Sequence, residues 1–164
     1  MKNGNHSIFN IQHSTPKNGE LTVWEFNEGG GGNRKFDLDD RLLEFASTVI
    51  DLSESLPDTR AGNHVAGQLL RSGTSPYPNQ GEAEAAESRD DFIHKLKICF
   101  KELRETRRWA RLIKRKAWVK NEAALLFILG ECEELIRIFH SSIQTAKRNN
   151  QMLVHKSVSP ASAG

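Results

Sequence analysis

Cysteine, proline and tyrosine are scarce in this 164-residue chain: two Cys, five Pro and one Tyr. The shortage of cysteine removes one class of explanation. Two cysteines, Cys99 and Cys132, cannot make a disulfide framework. Both lie inside apolar-periodic segments and read as buried small hydrophobes. No stretch approaches the ~20 consecutive apolar residues that cross a bilayer. The first ten residues carry only Met1, Ile8 and Phe9 as sizeable apolar groups, which is no signal-peptide core, so the expected compartment is the cytoplasm. There is no Gly-x-Ser-x-Gly elbow. The glycine run Gly29 to Gly32 is not followed by a Lys-Ser/Thr pair opening a helix, so it is no phosphate loop.

What is present is a soluble globular balance, 37% hydrophobic and 27% charged, in a length that suits one domain with a real core. The net charge of +2 hides a polarised chain. From Asp37 to Asp58 seven acids face Arg41 alone. From Lys95 to Lys120 eleven bases face only Glu102 and Glu105, a local charge of +9.

Residues 1–35 are rich in Asn, Gly, Ser and Thr and end in four glycines, the composition of a flexible extension. Leu21, Val23, Trp24 and Phe26 can form a short strand or a docking peptide, with Trp24 the foremost docking residue. From Phe36 the period becomes helical. Leu38, Leu42, Phe45, Val49, Leu52 and Leu56 form a stripe that Leu43, Ala46 and Ile50 widen. Pro57 ends this helix, and Asp58 or Thr59 can cap the next. The second helix carries Val65, Leu69 and Leu70 and must kink or break at Pro76 and Pro78, which remove two backbone donors. Ser88 followed by Asp91 resembles a capping box. The third helix then runs from about Asp90 to Lys116 on a stripe of Phe92, Leu96, Cys99, Leu103, Thr106, Ala110, Ile113 and Ala117. After a turn over Ala117 to Asn121, with Asn121 as N-cap, the fourth runs to about Arg148. Its stripes are Leu125, Ile128, Cys132, Leu135 and Phe139, then Leu126, Leu129, Ile136 and Ile143. The polar tail 149–164 reads as disordered. The expected fold is all-α: an antiparallel up-down-up-down four-helix bundle over 36–148.

The third helix carries the functional signal. At 100° per residue, Lys97, Lys101, Arg104, Arg108, Arg111 and Arg115 share one face, roughly opposite the core stripe. Such a ribbon can track a phosphate backbone and release its counterions. A plain solvated face is the competing reading, and the acid-rich first helix is a second candidate partner for these cations. The same helix has apolar residues off its core face: Ile93 and Phe100 on one flank, Ile98, Trp109 and Leu112 on the other. They point to a second buried surface, with self-association the simplest cause. Trp109 and Trp118 read as core or interface residues rather than base-stacking platforms.

Glu84, Glu87, Asp91 and His94 follow helical spacing and raise a carboxylate–histidine metal cluster. Bundle metal sites need inward-facing ligands from several helices, whereas His94 points away from the core stripe. A hydrolase using Glu82, Glu84, Glu87 and Asp91 with a metal is the enzyme alternative. No catalytic residue, metal or cofactor is assigned. The basic amphipathic helix can be imagined on a membrane, but its apolar face is claimed by three partner helices.

Several short motifs occur together: Leu69-Leu70-Arg71-Ser72-Gly73-Thr74-Ser75-Pro76, Asn79-Gln80-Gly81-Glu82-Ala83, Ala86-Glu87-Ser88-Arg89-Asp90-Asp91-Phe92 and Lys101-Glu102-Leu103-Arg104-Glu105-Thr106, with Glu133-Glu134-Leu135-Ile136 and Ser142-Ile143. In combination, over about residues 36–148, the chain resembles the bacterial four helix bundle protein family. These are also called intervening-sequence proteins, because some are encoded within insertions in large-subunit ribosomal RNA genes. The resemblance implies an antiparallel bundle with a kinked second helix, a ring-shaped homopentamer and no enzymatic activity. A related family, the accessory proteins of diversity-generating retroelements, shares that form and binds nucleic acid and a reverse transcriptase. Arg71, Ser75, Pro76, Asn79, Glu82, Glu87, Asp91 and Phe92 are the carried-over positions, implied to serve fold and assembly. The extension departs from the family pattern, which starts near Phe36. The functional expectation is a homo-oligomer that binds structured RNA or a nucleoprotein partner. The alternative is a structural module whose basic face pairs with acidic surfaces of neighbouring chains.

Overall fold

A computed structural model describes residues 10–11, 26–27 and the backbone of 38–157, with side chains from 38 to 148. Near the N-terminus, β1 (Asn10–Ile11) pairs antiparallel with β2 (Phe26–Asn27), Asn10 opposite Asn27 and Ile11 opposite Phe26. Of the four apolar residues expected to form a strand, Phe26 is in β2. Trp24, Leu21 and Val23 lie outside the described residues.

The second unit is helical throughout. Its elements are α1 (Leu38–Glu54), α2 (Arg60–Thr74), α3 (Pro76–Glu84), α4 (Arg89–Lys116) and α5 (Ala123–Ser157). The boundaries follow local chemistry. Ser53 and Ser55 hydroxyls donate to the Val49 and Leu52 carbonyls as α1 ends. The Thr59 hydroxyl caps α2 by accepting from the Gly62 amide at 3.0 Å. The Ser88 hydroxyl accepts from the Asp91 amide at 3.2 Å to open α4. Ala117 closes α4 in the left-handed region at φ 49°, a conformation that L-residues other than Asn and Asp rarely adopt. Asn121 accepts from the Ala123 amide at 3.0 Å as α5 begins.

α2 and α3 are two halves of one helical stretch interrupted at Ser75, which itself keeps helical dihedrals (φ −60°, ψ −37°). Pro76 and Pro78 have no amide to give the carbonyls one turn back, so the ladder breaks there. Asn79 reinforces the junction: its amide side chain donates to the Ser75 carbonyl at 2.9 Å and to the Ser75 hydroxyl at 3.2 Å.

The core is built by the expected stripes. Leu42, Phe45, Val49, Leu52, Leu69, Leu96, Leu103, Ala110, Ile113, Leu125, Ile128, Leu135 and Phe139 are buried, as are both free cysteines. The Cys99 thiol donates to the Pro76 carbonyl at 3.5 Å. Contacts rise along α2 and α3 as they fall along α4: Arg71 meets Glu102 and Glu105, Ser72 meets Thr106, and Glu82 meets Lys95. Two glycines are demanded by close approach. A Cβ on Gly73 would lie 2.5 Å from Val49 Cγ1, and one on Gly62 would lie 2.0 Å from the Pro57 carbonyl oxygen.

Three expectations need correction. Leu43, Ile50 and Leu126 do not widen the core; they are 48%, 45% and 49% exposed. Ala117 is exposed and lies past the end of α4, so it adds nothing to that helix's stripe. The last helix does not stop at Arg148 but continues to Ser157. No Gly or Pro falls between Asn149 and Ser157. A helix already nucleated propagates through such residues at little cost. Residues 158–164 lie outside the description.

Candidate nucleic-acid interface

α4 is amphipathic over 28 residues, and its charge is sorted by face. Lys97, Lys101, Arg104, Arg108, Arg111 and Arg115 are all exposed. Their spacing of three and four keeps them within an arc of about 80° at 100° per residue. The stripe is about 27 Å long at 1.5 Å per residue, roughly one cation per turn.

The two acids of this segment do not neutralise the stripe. Glu102 is buried and Glu105 half-buried, and both turn to Arg71 of α2. The Arg71 guanidinium donates to Glu102 at 3.3 Å and makes a second hydrogen bond to Glu105. Burial pushes the Glu105 carboxyl up. Hydrogen bonds from Arg71 and Trp109 and the charges of Arg71 and Lys101 outweigh it, so the group sits below its ordinary value. Hydrogen bonding and charge from Glu105, then Glu102, raise Arg71 in turn. Among the described residues, no ion pair involves Lys97, Arg104, Arg108, Arg111 or Arg115. Lys101 approaches Glu102 only at 3.8 Å.

Phe100, Lys101, Arg104, Glu105, Arg108, Trp109 and Leu112 line an open groove on the exposed side of α4. The Arg104 guanidinium lies over the Phe100 ring, 5.5 Å from its centroid, and the His140 ring of α5 packs tilted against Phe100 at 5.9 Å. On the opposite flank the Trp109 indole donates to Glu105 at 3.4 Å and meets the His64 ring edge-on at 6.1 Å.

The expected oligomer-interface residues divide. Ile93 is buried in the chain's own core, 6% exposed, so it is not available to a partner: its flank position turns in toward the bundle. Ile98, Phe100 and Trp109 are half-buried and Leu112 is 39% exposed. Sequence reasoning did not single out Phe127, 40% exposed on α5. Of the fold positions, Arg71, Ser75, Pro76, Asn79, Glu82 and Asp91 sit at the helix interruption, the α4 cap or the α2/α3–α4 seam. Glu82 pairs with Lys95, whose ammonium is raised by that hydrogen bond. The Phe92 amide donates to the Ser88 carbonyl at 2.9 Å, and Glu87 is exposed.

The carboxylates proposed for a metal are dispersed. Glu82 faces Lys95 and Glu84 accepts from Gln80 at 2.9 Å. Among the described residues no three His, Cys, Asp or Glu side chains converge to hold an ion, and no helix is long and apolar enough to cross a membrane.

The family model for the 23S rRNA-intervening sequence protein matches residues 34–141. The chain belongs to that family. The chain is also similar to a solved structure, which it covers almost completely. It is a crystal structure of a protein with unknown function from the S23 ribosomal protein family of Bacteroides thetaiotaomicron VPI-5482. It shares 36% identity, aligns over 65% of this chain and 98% of its own, and superposes with a TM-score of 0.59. No curated protein matches. The alignment therefore leaves about a third of this chain without a counterpart in that relative.

Proposed function

We propose that this family member is a non-enzymatic homo-oligomeric bundle that binds structured RNA, alone or within a nucleoprotein, through the outward face of α4. The observation that carries the reading is the charge sorting. Five of six exposed cations have no ion-pair partner among the described residues, while the nearby acids are committed to Arg71. Like charges one turn apart repel, and a polyanion relieves that repulsion with release of counterions. The family's association with ribosomal RNA insertions points the same way. Burial pushes both the Cys99 and Cys132 thiols up to about 12, so neither offers a thiolate nucleophile at neutral pH, in keeping with a binding role.

Assembly belongs to the same proposal. We take the helices to alternate up and down, with the second kinked at Ser75, and the bundles to close into the homopentameric ring that the family resemblance implies. A ring would present the α4 stripe several times over and multiply weak contacts.

One observation favours a second reading. On α1, Glu44, Asp51 and Glu54 are exposed, have no ion pair among the described residues, and share a face with exposed Leu43 and Ile50. That face complements α4 in charge and in apolar content, so the cations could serve chain–chain contacts instead. Reversing Arg104 and Arg108 to Glu separates the two. Loss of RNA binding with unchanged oligomer mass supports the RNA reading. Loss of the oligomer itself supports the second.

A further inference from the structure

The cationic stripe of α4 is bordered by aromatic rings. Taking Phe100 as the origin at 100° per residue, the six bases occupy about 20° to 100°, Leu112 lies near 120° and Trp109 near 180°. Both rings line the same groove as Lys101, Arg104 and Arg108. Both are also held in place, Phe100 by contacts with Arg104 and a tilted His140 ring, Trp109 by Glu105 and His64. From the sequence, Trp109 read as a core or interface residue. In the structure it is partly exposed at the edge of the groove that carries Lys101, Arg104 and Arg108, a setting in which an aromatic can stack a base.

A duplex has little use for these rings. Its bases are already stacked on one another, and only phosphates and groove edges reach a helix face lying on the backbone. An unpaired strand presents base faces and phosphates together. We infer that Phe100, with the Arg104 guanidinium over it, and Trp109 stack unpaired bases, while the cations between them hold the intervening phosphates. The RNA element recognised is then a single-stranded loop or tail rather than a helix. The inference rests on the basic-face reading above and adds the substrate class.

The test compares three probes on the full chain: a 12-nucleotide unpaired RNA, the same backbone without bases, and a 12-base-pair RNA duplex. The base-bearing strand is expected to bind at least about tenfold more tightly than the abasic strand, which carries the same phosphates. Phe100→Leu and Trp109→Leu are expected to remove most of that advantage with the salt slope unchanged. Equal binding of base-bearing and abasic strands by the native chain overturns the inference, whatever the variants do. So do variants with native circular dichroism that bind as the native chain does. Tight binding of the duplex alone overturns the stacking and leaves the basic face standing. No binding of any probe at low salt overturns both.

Discussion

α4 has two charged sides, and they obey different rules. On the side facing α2 and α3, charges are matched: Arg71 holds Glu102 and Glu105, and Lys95 holds Glu82. On the outward side Lys97, Arg104, Arg108, Arg111 and Arg115 have no such partner among the described residues. A helix that needed charge only for solubility would gain by placing acids one turn from these bases. Glu105 stands one turn from Lys101 and Arg108, but its carboxylate is bound by Arg71, and Glu102 is buried against the same guanidinium. The difference teaches that the seam is organised for folding, where unmatched partly buried charge is costly. The outer stripe is organised for something anionic that the folded chain does not itself supply.

The strongest way to break this comparison is to invert the outer side. Arg104→Glu with Arg108→Glu is expected to weaken RNA binding by about 100-fold or more, since two phosphate contacts become repulsions. Helicity and thermal midpoint should stay near native. A large stability loss in that variant would mean that the outer face also belongs to the fold.

The packed side answers to the opposite change. Gly73→Ala places a Cβ against the stiff, branched Val49 side chain and is expected to cost about 1–3 kcal/mol in thermal or urea unfolding. RNA affinity per folded molecule should not move. At the end of α4, Ala117→Gly relieves a left-handed L-residue and is expected to add about 1 kcal/mol, read by the same unfolding experiment.

Smaller effects sharpen the seam. Glu105 is held below its ordinary value, so its stabilising contribution is present above the usual carboxylate range. It is lost as pH falls through the folded value. Arg71→Ala should therefore destabilise more at neutral pH than in acid, and urea midpoints at the two pH values measure the gap. On the outer side, Lys97→Ala should leave stability unchanged. It should reduce the magnitude of the slope of log affinity against log salt by about 0.7 to 0.9, the share of one phosphate contact.

Much of the fold was legible in the sequence because helix boundaries are local. Thr59, Ser88, Pro57 and the paired prolines Pro76 and Pro78 announce starts and breaks within a few residues of where they act. The buried stripes of α4 and α5 follow from period alone. What could not be read depended on distant partners or on degree. The clamp from Arg71 to Glu102 and Glu105 joins residues more than 30 apart, so the burial of Glu102 could not be read from local sequence. Ile93 and Leu43 both lie at the margin of an apolar stripe, and only the neighbouring helices decide that one turns in and the other out. The continuation of α5 past Arg148 was obscured because polar residues resemble a tail by composition, although nothing in 149–157 stops a helix. The six cations of the candidate site were legible as a stripe. The lack of ion-pair partners for five of them, and the aromatic groove beside them, needed the structure.

The central claim is that the outer face of α4 binds a polyanion. The most direct test is the affinity of nuclease-treated full-length protein for RNA across a salt series. With up to six phosphate contacts, the account predicts a steep loss, with log affinity falling against log salt at a slope near −4 for a single strand and near −5 for a duplex. A flat salt dependence, or no binding at low salt, would contradict it and turn the search to chain–chain contacts between α4 and the acidic face of α1.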